Sequence, residues 1–237
     1  MEGSRAVKDI SIKNGDDIQS IFDQLSTSGG FESRNLAEGL EILSTMESDK
    51  DCVKFLSFVA AITSTGLRGI IADMLKKKMF DVVITTCGAL DHDIARYFSN
   101  YLEGSFTMDD AELLEKNIHR LGNVLVPMES YGPIIEEKMQ MFLEAAYKSG
   151  KKEMSTADIT RMIGENLGEG SFLYWAYKNN IPVIVPGIVD GAVGSQIFDG
   201  LMEPSDLAAT YLFLASREAA RNITGQTLHV DRGEFMD

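Results

Sequence analysis

Three short polar runs follow apolar segments of this chain, and each has chemistry that suits a ligand. Residues 63–66 (TSTG) and 86–88 (TCG) combine side-chain hydroxyls with backbone N–H groups at the start of a predicted helix, which suits a phosphate. The glycine of the second run lets a ligand approach the backbone. Asp190 precedes a glycine and offers a carboxylate to ribose hydroxyls. None is a GxGxxG fingerprint, so a capped helix without a ligand is the alternative for each run.

The elements that must position these runs alternate between short apolar strands and amphipathic helices. We predict strands in residues 53–62, 81–86, 123–126 and 182–187, and helices in residues 67–78, 133–147 and 171–178. Ser155 and Asp158 open a further helix with N-cap chemistry. This alternation predicts an α/β fold, a mostly parallel sheet with helices on both faces, in which ligands bind beyond the carboxyl ends of the strands.

The first fifty residues have a different pattern from the rest. Apolar residues at helical spacing predict helices over residues 16–25 and 36–46, and the linker STSGG at 26–30 separates them. The expected organisation is therefore an N-terminal helical segment over residues 1–50, an α/β body over 51–200 and a tail over 201–237.

Composition excludes several classes of function. The 36 acidic and 22 basic residues give a net charge of -14, which disfavours nucleic-acid binding through a basic face. Met1 is followed by polar residues, and no apolar run reaches membrane-spanning length. Two cysteines are too few for a disulfide framework, so a cytoplasmic location is expected. No grouping of histidine, cysteine and carboxylate residues has metal-ligand spacing, so we predict no metal.

Asp91, His92 and Asp93 stand together in the helix that follows the TCG run. The two carboxylates are expected in the first turn of that helix, with His92 exposed between them. Cys87 at the start of the same helix is open to two interpretations. It is either a thiol with a lowered pKa or, as we favour, a small buried residue against the ligand.

Two longer stretches make a family recognisable. The segment GLRGIIADMLKKKMFDVVITTCGALDHDIARYF and the segment SFLYWAYKNNIPVIVPGIVDGAVGSQIF resemble the deoxyhypusine synthase family in its archaeal form, and the likeness covers about residues 7–198. Members are NAD-dependent transferases that oxidise spermidine. They pass its aminobutyl group through an imine on an enzyme lysine to a lysine of a translation initiation factor 5A precursor. The resemblance implies a Rossmann-like fold and a homotetramer with sites between paired subunits.

The resemblance also assigns site residues by position. Ser64, Thr86, Cys87 and Gly88 fall where the family contacts NAD, and Asp190 falls on the NAD-binding aspartate of the family.

A second set falls where the family faces its polyamine substrate. Asp91 and His92 replace two glutamates of many relatives, and Ser195 replaces a spermidine-binding aspartate of eukaryotic members. The loss of those carboxylates leaves open which polyamine is bound.

After Phe198 the family pattern ends. The histidine pair and the SGA…EAVSWGK segment with the nucleophilic lysine are not found, and Lys178 is the last lysine of the sequence, so we predict no catalytic residue. Residues 202–234 resemble instead the C-terminal end of short-chain dehydrogenases. A fusion, a frameshift or an engineered chimera would each give this sequence.

Three functions are compatible with the sequence. The leading hypothesis is a deoxyhypusine synthase family protein that binds NAD and does not complete aminobutyl transfer alone. A second is a non-catalytic subunit that pairs with an intact homologue. A third is a short-chain oxidoreductase using Tyr174 and Lys178, but no TGxxxGxG turn accompanies that YxxxK spacing, which we therefore interpret as accidental.

Overall fold

The computed structural model describes residues 5–151 and 153–198, which form two compact units that meet in sequence between Lys54 and Phe55. The predicted tail lies outside the described residues. The N-terminal unit contains α1 (Ile18–Ser28) and α2 (Ser33–Ser48), which pack against each other and are joined by a short linker. The carboxylate of Asp17 caps α1 by accepting a hydrogen bond from the Ser20 N–H at 2.8 Å.

The second unit combines short strands with helices, which alternate strictly only in its first part. Its elements are β1 (Phe55–Ser57), α3 (Leu67–Lys76), β2 (Val82–Ile84), α4 (Cys87–Phe98), β3 (Leu102–Glu103), α5 (Asp110–Glu115), β4 (Ile118–Leu121), β5 (Val124–Pro127), α6 (Gly132–Lys148), α7 (Thr156–Glu165), α8 (Phe172–Lys178), β6 (Val183–Ile184) and α9 (Ala192–Phe198). Short 3-10 turns occupy Ala60–Ser64 and Met128–Ser130. None of the helices in the described part of the chain is long and apolar enough to cross a membrane.

The parallel sheet confirms the predicted α/β class. Its strand order is β1-β2-β6, with Phe55 opposite Val82 and Val83 opposite Val183. The central strand β2 has the β-branched sequence Val-Val-Ile, as expected of a strand covered on both faces, and its Val83 is fully buried.

A second, antiparallel sheet was not predicted. It has the order β3-β5-β4, so the strand predicted over residues 123–126 pairs with neighbouring hairpin segments and does not join the parallel sheet. The two-residue β3 is too short to show the alternation from which strands are predicted.

The hydrophobic core is built around α4, which is buried along most of its length. The fully buried large side chains of the core come from several elements and include Leu75, Leu90, Ile94, Ile135, Met139 and Phe172. At about 0.8 kcal/mol for each buried CH₂ group, these side chains dominate the stabilisation of the unit.

The helix starts show both a confirmed prediction and an error. At α7 the Ser155 hydroxyl accepts from the Asp158 N–H, and the Asp158 carboxylate accepts from the Ser155 N–H, which completes the predicted cap. The first-turn placement of Asp91 and Asp93 is wrong, because α4 already begins at Cys87 and both carboxylates follow its first turn. Both are also buried, since this part of α4 lies inside the core.

Candidate functional site

The carboxyl ends of the three parallel strands converge on one cleft. Because β1, β2 and β6 run in the same direction, the residues that follow them meet at one edge of the sheet. A cavity of about 480 Å³ lies there, which we call the carboxyl-edge cleft. It is lined by Ser57, Phe58, Val59, Ile84, Thr85, Thr86, Pro186, Gly187 and Asp190. Its volume is within the usual range for small-molecule sites.

Hydrogen bonds between the ends of β1 and β2 fix one wall of this cleft. The Thr85 hydroxyl donates to the Phe58 carbonyl at 2.8 Å, and the Thr86 hydroxyl accepts from the Ala60 N–H at 3.1 Å. Thr86 is exposed, and its hydroxyl still has a proton to donate. The structure therefore places the predicted Thr86 in the cleft with one donor available.

Asp190 also lines the cleft, after β6. Its backbone N–H donates to the Gly187 carbonyl at 3.1 Å, which closes a tight turn. The side chain is exposed, and no other residue within 5–151 and 153–198 is hydrogen-bonded to its carboxylate. A Cβ atom on Gly187 would lie 2.6 Å from Asp190 Oδ2, so the glycine allows the carboxylate to lie over the turn. The structure thus brings the predicted Thr86 and Asp190 together.

Cys87 and Gly88 lie behind the cleft wall at the start of α4. Cys87 is 1% exposed, and burial, reinforced by the negative charge of Asp91, raises the pKa of its thiol to about 12. The thiol is therefore protonated at neutral pH. Of the two interpretations of Cys87, the one that remains is a small buried residue. A Cβ atom on Gly88 would lie 2.9 Å from the Ala60 Cβ, so this glycine permits close packing of α4 against the 3-10 turn. A contact of Cys87 or Gly88 with a cofactor stays a prediction.

The hydroxyls of the TSTG run serve the backbone of the 3-10 turn. The buried Ser64 hydroxyl donates to the Ala61 carbonyl at 2.7 Å, and the buried Thr63 hydroxyl donates to the Ala60 carbonyl at 2.7 Å. Neither residue is among those that line the cleft. A cofactor contact by Ser64 likewise stays a prediction.

Asp91 is 1% exposed and its carboxylate is surrounded by donors. The Tyr131 hydroxyl donates to Oδ2 at 2.6 Å, and the N–H groups of Ala192 and Val193 donate to Oδ2 and Oδ1 at 2.9 and 2.8 Å. The carboxylate thereby caps the start of α9. The predicted role in polyamine binding remains untested, and in this arrangement the carboxylate has almost no surface to offer an amine.

The other two residues predicted to face the polyamine lie on α4 and α9. His92 is half-buried, so its predicted exposure is wrong, and its Nδ1 is hydrogen-bonded to the Tyr101 hydroxyl at 2.9 Å. Burial lowers the pKa of His92, against the opposing effect of the Asp91 charge. Ser195 is exposed, and its hydroxyl donates to the Gly191 carbonyl at 3.1 Å. Whether either residue contacts a polyamine stays a prediction.

A buried polar cluster around Asp93 was missed by the sequence analysis. The Asp93 carboxylate is fully buried and accepts from Arg68 Nη1 at 3.0 Å, from the Ser171 hydroxyl at 2.6 Å and from the Leu173 N–H at 3.1 Å. Its partners come from α3 and from the start of α8. The only sequence signal was the N-cap serine at position 171, which does not identify a partner 78 residues away.

A second cavity, of about 320 Å³, lies between α7, α8 and the start of β6. Arg161 lines this cavity, and its guanidinium group donates to Asn180 Oδ1 at 2.6 Å and lies over the ring of Tyr177. This cavity contains none of the predicted site residues. The carboxyl-edge cleft is therefore the better candidate site.

The fold and the cleft together define a Rossmann-like α/β protein with a ligand site at the carboxyl edge of its parallel sheet. Comparison with known sequences identifies the family: the sequence profile of deoxyhypusine synthase matches residues 20–208, and the chain belongs to the deoxyhypusine synthase family. The match extends past Phe198, where the sequence analysis placed the end of the resemblance. The likeness of residues 202–234 to short-chain dehydrogenases is not supported by these comparisons and lies outside the described residues.

Curated relatives and a solved structure agree with this assignment. A protein of Thermoplasma acidophilum described as a probable deoxyhypusine synthase is 51% identical over 196 residues, which cover 82% of this chain and 63% of that protein. A Sulfolobus acidocaldarius protein with the same description is 40% identical over 200 residues. This chain therefore spans less than two thirds of the length of these relatives. A crystal structure assigned as a deoxyhypusine synthase from Entamoeba histolytica has the same fold, with a TM-score of 0.57 at 21% identity, covering 89% of this chain and 76% of that one.

Proposed function

We propose that this chain binds NAD in the carboxyl-edge cleft. The observation that carries the proposal is the exposed Asp190 carboxylate, which lines the cleft together with Thr86 and has no partner among the described residues. A carboxylate accepts hydrogen bonds from both hydroxyls of a ribose, and the Thr86 hydroxyl is free to donate to a further oxygen of the same ligand. Family membership supports NAD as that ligand.

The walls of the cleft fit a nucleoside. Phe58, Val59 and Pro186 provide apolar surface for a flat ring, and the exposed hydroxyl of Ser57 adds a polar contact. Gly187 keeps the space beside the Asp190 carboxylate free of a side chain. When bound, NAD supplies a hydride acceptor for the oxidation of an amine. The protein's own residues bind the ribose, orient the ring and exclude water.

The reaction follows from the family and is also part of the proposal. In deoxyhypusine synthases the amine is spermidine, and its aminobutyl group is transferred to a lysine of a translation initiation factor 5A precursor. In the sequence of this chain no lysine follows Lys178. That the chain binds NAD without completing the transfer alone stays a prediction from the sequence. Homo-oligomerisation remains a prediction from the resemblance, and a cytoplasmic location remains a prediction from the composition.

The test of this proposal is an equilibrium titration of the purified chain with NAD. We expect saturable binding, weakened about tenfold or more in Asp190→Asn, because an acceptor for a ribose hydroxyl loses its charge. Asp73→Asn is the matched control: it removes the same charge from an exposed position of α3 outside the cleft and should leave the affinity unchanged. Absence of saturable binding at millimolar NAD, or equal affinity in Asp190→Asn, would overturn the proposal.

A second candidate function is that of a partner subunit for an intact synthase. It stays a prediction from the sequence. If it is correct, the chain and a full-length synthase should co-purify, and transfer activity should rise on mixing. If the mixture has no more transfer activity than the full-length synthase alone, the function as a partner subunit is excluded.

A further inference from the structure

The loop that carries Asp190 is tied to α4 through a buried carboxylate. Asp91 accepts hydrogen bonds from the Tyr131 hydroxyl at 2.6 Å and from the N–H groups of Ala192 and Val193 at 2.9 and 2.8 Å, and a longer one from Cys87 Sγ at 3.9 Å. The two N–H donors lie in the first turn of α9, where no backbone acceptor within the helix is available to them. Asp91 is thus the acceptor that satisfies them.

The contact also includes the residue directly after Asp190. A Cβ atom on Gly191 would lie 2.7 Å from Asp91 Oδ2 and 2.8 Å from Cys87 Sγ. The chain therefore passes directly over the Asp91 carboxylate before α9 begins, and only a glycine leaves room for it to do so. Asp190 therefore lies directly before a residue that is tightly packed against Asp91, and this packing fixes the position of Asp190.

We infer that Asp91 is a positioning residue: through the N–H groups of Ala192 and Val193 it holds the loop in the place where Asp190 faces the carboxyl-edge cleft. Hydrogen bonds to an ionised carboxylate are roughly twice as strong as neutral ones, and a buried carboxylate is stable only when such donors surround it. The expected effect on NAD binding rests on the proposed function. This role differs from the polyamine contact that the resemblance implies for Asp91.

The Tyr131 hydroxyl is a further donor to the Asp91 carboxylate, and it comes from a different part of the chain than Ala192 and Val193. Burial and the neighbouring charge of Asp91 raise the pKa of the Tyr131 phenol, so the hydroxyl keeps its proton and remains a donor. Tyr131 is the N-cap residue of α6, so α4, α6 and α9 meet at one carboxylate. Asp91 therefore has little freedom to move away from the loop.

The experiment compares Asp91→Asn with Asp93→Asn, two substitutions of buried aspartates on the same helix. Amide hydrogen exchange of the unliganded full chain is measured by NMR, and NAD affinity by titration. Asp91→Asn turns part of an acceptor into a donor, so exchange at Ala192 or Val193 should accelerate about tenfold and NAD affinity should fall about tenfold. In Asp93→Asn the accelerated amide should be Leu173, whose N–H donates to Asp93, and the NAD affinity should be unchanged.

Tyr131→Phe keeps the inference testable if Asp91→Asn does not fold. It removes the phenol donor alone, so exchange at Ala192 and Val193 should accelerate by a smaller factor than in Asp91→Asn, with Leu173 unaffected. Unchanged exchange at Ala192 and Val193, or an equal acceleration at Leu173, would overturn the positioning role. Hydrogen exchange needs no NAD, so failure of the unaltered chain to bind NAD would refute the proposed function without affecting this readout.

Discussion

Arg68 Nη1 donates to the carboxylate of Asp93 at 3.0 Å, in an ion pair whose acid is completely buried and whose guanidinium is nearly so. Burial raises the pKa of Asp93, and the Arg68 charge opposes this effect, together with hydrogen bonds from Ser171 and from the Leu173 N–H. The pair joins α3 to α4, and the same carboxylate holds the start of α8. One side chain therefore connects three of the helices around the parallel sheet.

Removing the arginine should destabilise the fold strongly. In Arg68→Ala the buried Asp93 charge loses its only salt-bridge partner among the described residues, which is expected to cost about 3–5 kcal/mol in the free energy of unfolding. Urea denaturation measures this loss. Arg120→Ala is the control, because Arg120 also pairs with an aspartate, Asp110, at the surface. The prediction is contradicted if the two variants unfold at similar urea concentrations.

The parts of the fold and site that rest on local chemistry were predictable from the sequence. The cap at Ser155 depends on a residue three positions away, and the convergence of Thr86 and Asp190 follows from short buried strands in parallel order. The roles of Asp91 and Asp93 were not predictable, because most of their partners lie 25 to 102 residues away in the chain. Only the packed structure brings such distant groups together.

The residues that line the cleft also depend on contacts between segments that are distant in sequence. Ser57 and Phe58 were predicted only as part of an apolar strand extending to residue 62, whereas β1 ends at Ser57. The chain turns there because the Thr85 and Thr86 side chains bond to the backbone beyond β1. The end of β1 is therefore determined by contacts with the end of β2. The apolar run in the sequence does not reveal these contacts.

Gly187→Ala should weaken ligand binding more than it affects stability. Its new Cβ atom would lie 2.6 Å from Asp190 Oδ2, so the flexible carboxylate must swing away from its place over the turn. We expect NAD affinity to fall while the midpoint of thermal unfolding changes little. Gly39→Ala in α2, where nothing lies within 4 Å of the added atom, should leave NAD affinity unchanged. Equal affinities in both variants would contradict the prediction.

Gly164→Ala should affect stability instead. A Cβ atom there would lie 2.3 Å from the backbone carbonyl oxygen of Leu173, so α7 and α8 would have to separate. Overpacking of this kind costs about 1–3 kcal/mol or more. In chemical denaturation Gly39→Ala, also in a helix but in open space, should gain about 0.5–1 kcal/mol. A Gly164→Ala variant as stable as the original chain would refute the close packing of α7 on α8.

The half-buried His92 predicts how stability depends on pH. Because burial lowers its pKa in the folded chain, the unfolded chain binds more protons at this residue as the pH falls below about 6.5. The contribution of His92 to stability is therefore complete above that pH and is lost as the pH falls toward the folded value. The loss of melting temperature between about pH 7.5 and about pH 5.5 should be smaller in His92→Gln than in the unaltered chain.

His119→Gln is the control for this prediction, since His119 is exposed on β4. It should retain the pH dependence of the unaltered chain. Other titrating groups, including Asp93, contribute equally to all three proteins and cancel in the comparison. Identical pH profiles for His92→Gln and the unaltered chain would show that His92 is as accessible to protons in the folded chain as in the unfolded chain.

The most direct test of the central claim is a crystal structure of the full chain grown with saturating NAD. We predict electron density in the carboxyl-edge cleft, with the hydroxyls of one ribose within about 3 Å of the Asp190 carboxylate and an oxygen of the ligand near the Thr86 hydroxyl. NAD bound elsewhere, for example in the cavity between α7 and α8, or a cleft without ligand density at saturation, would contradict the claim.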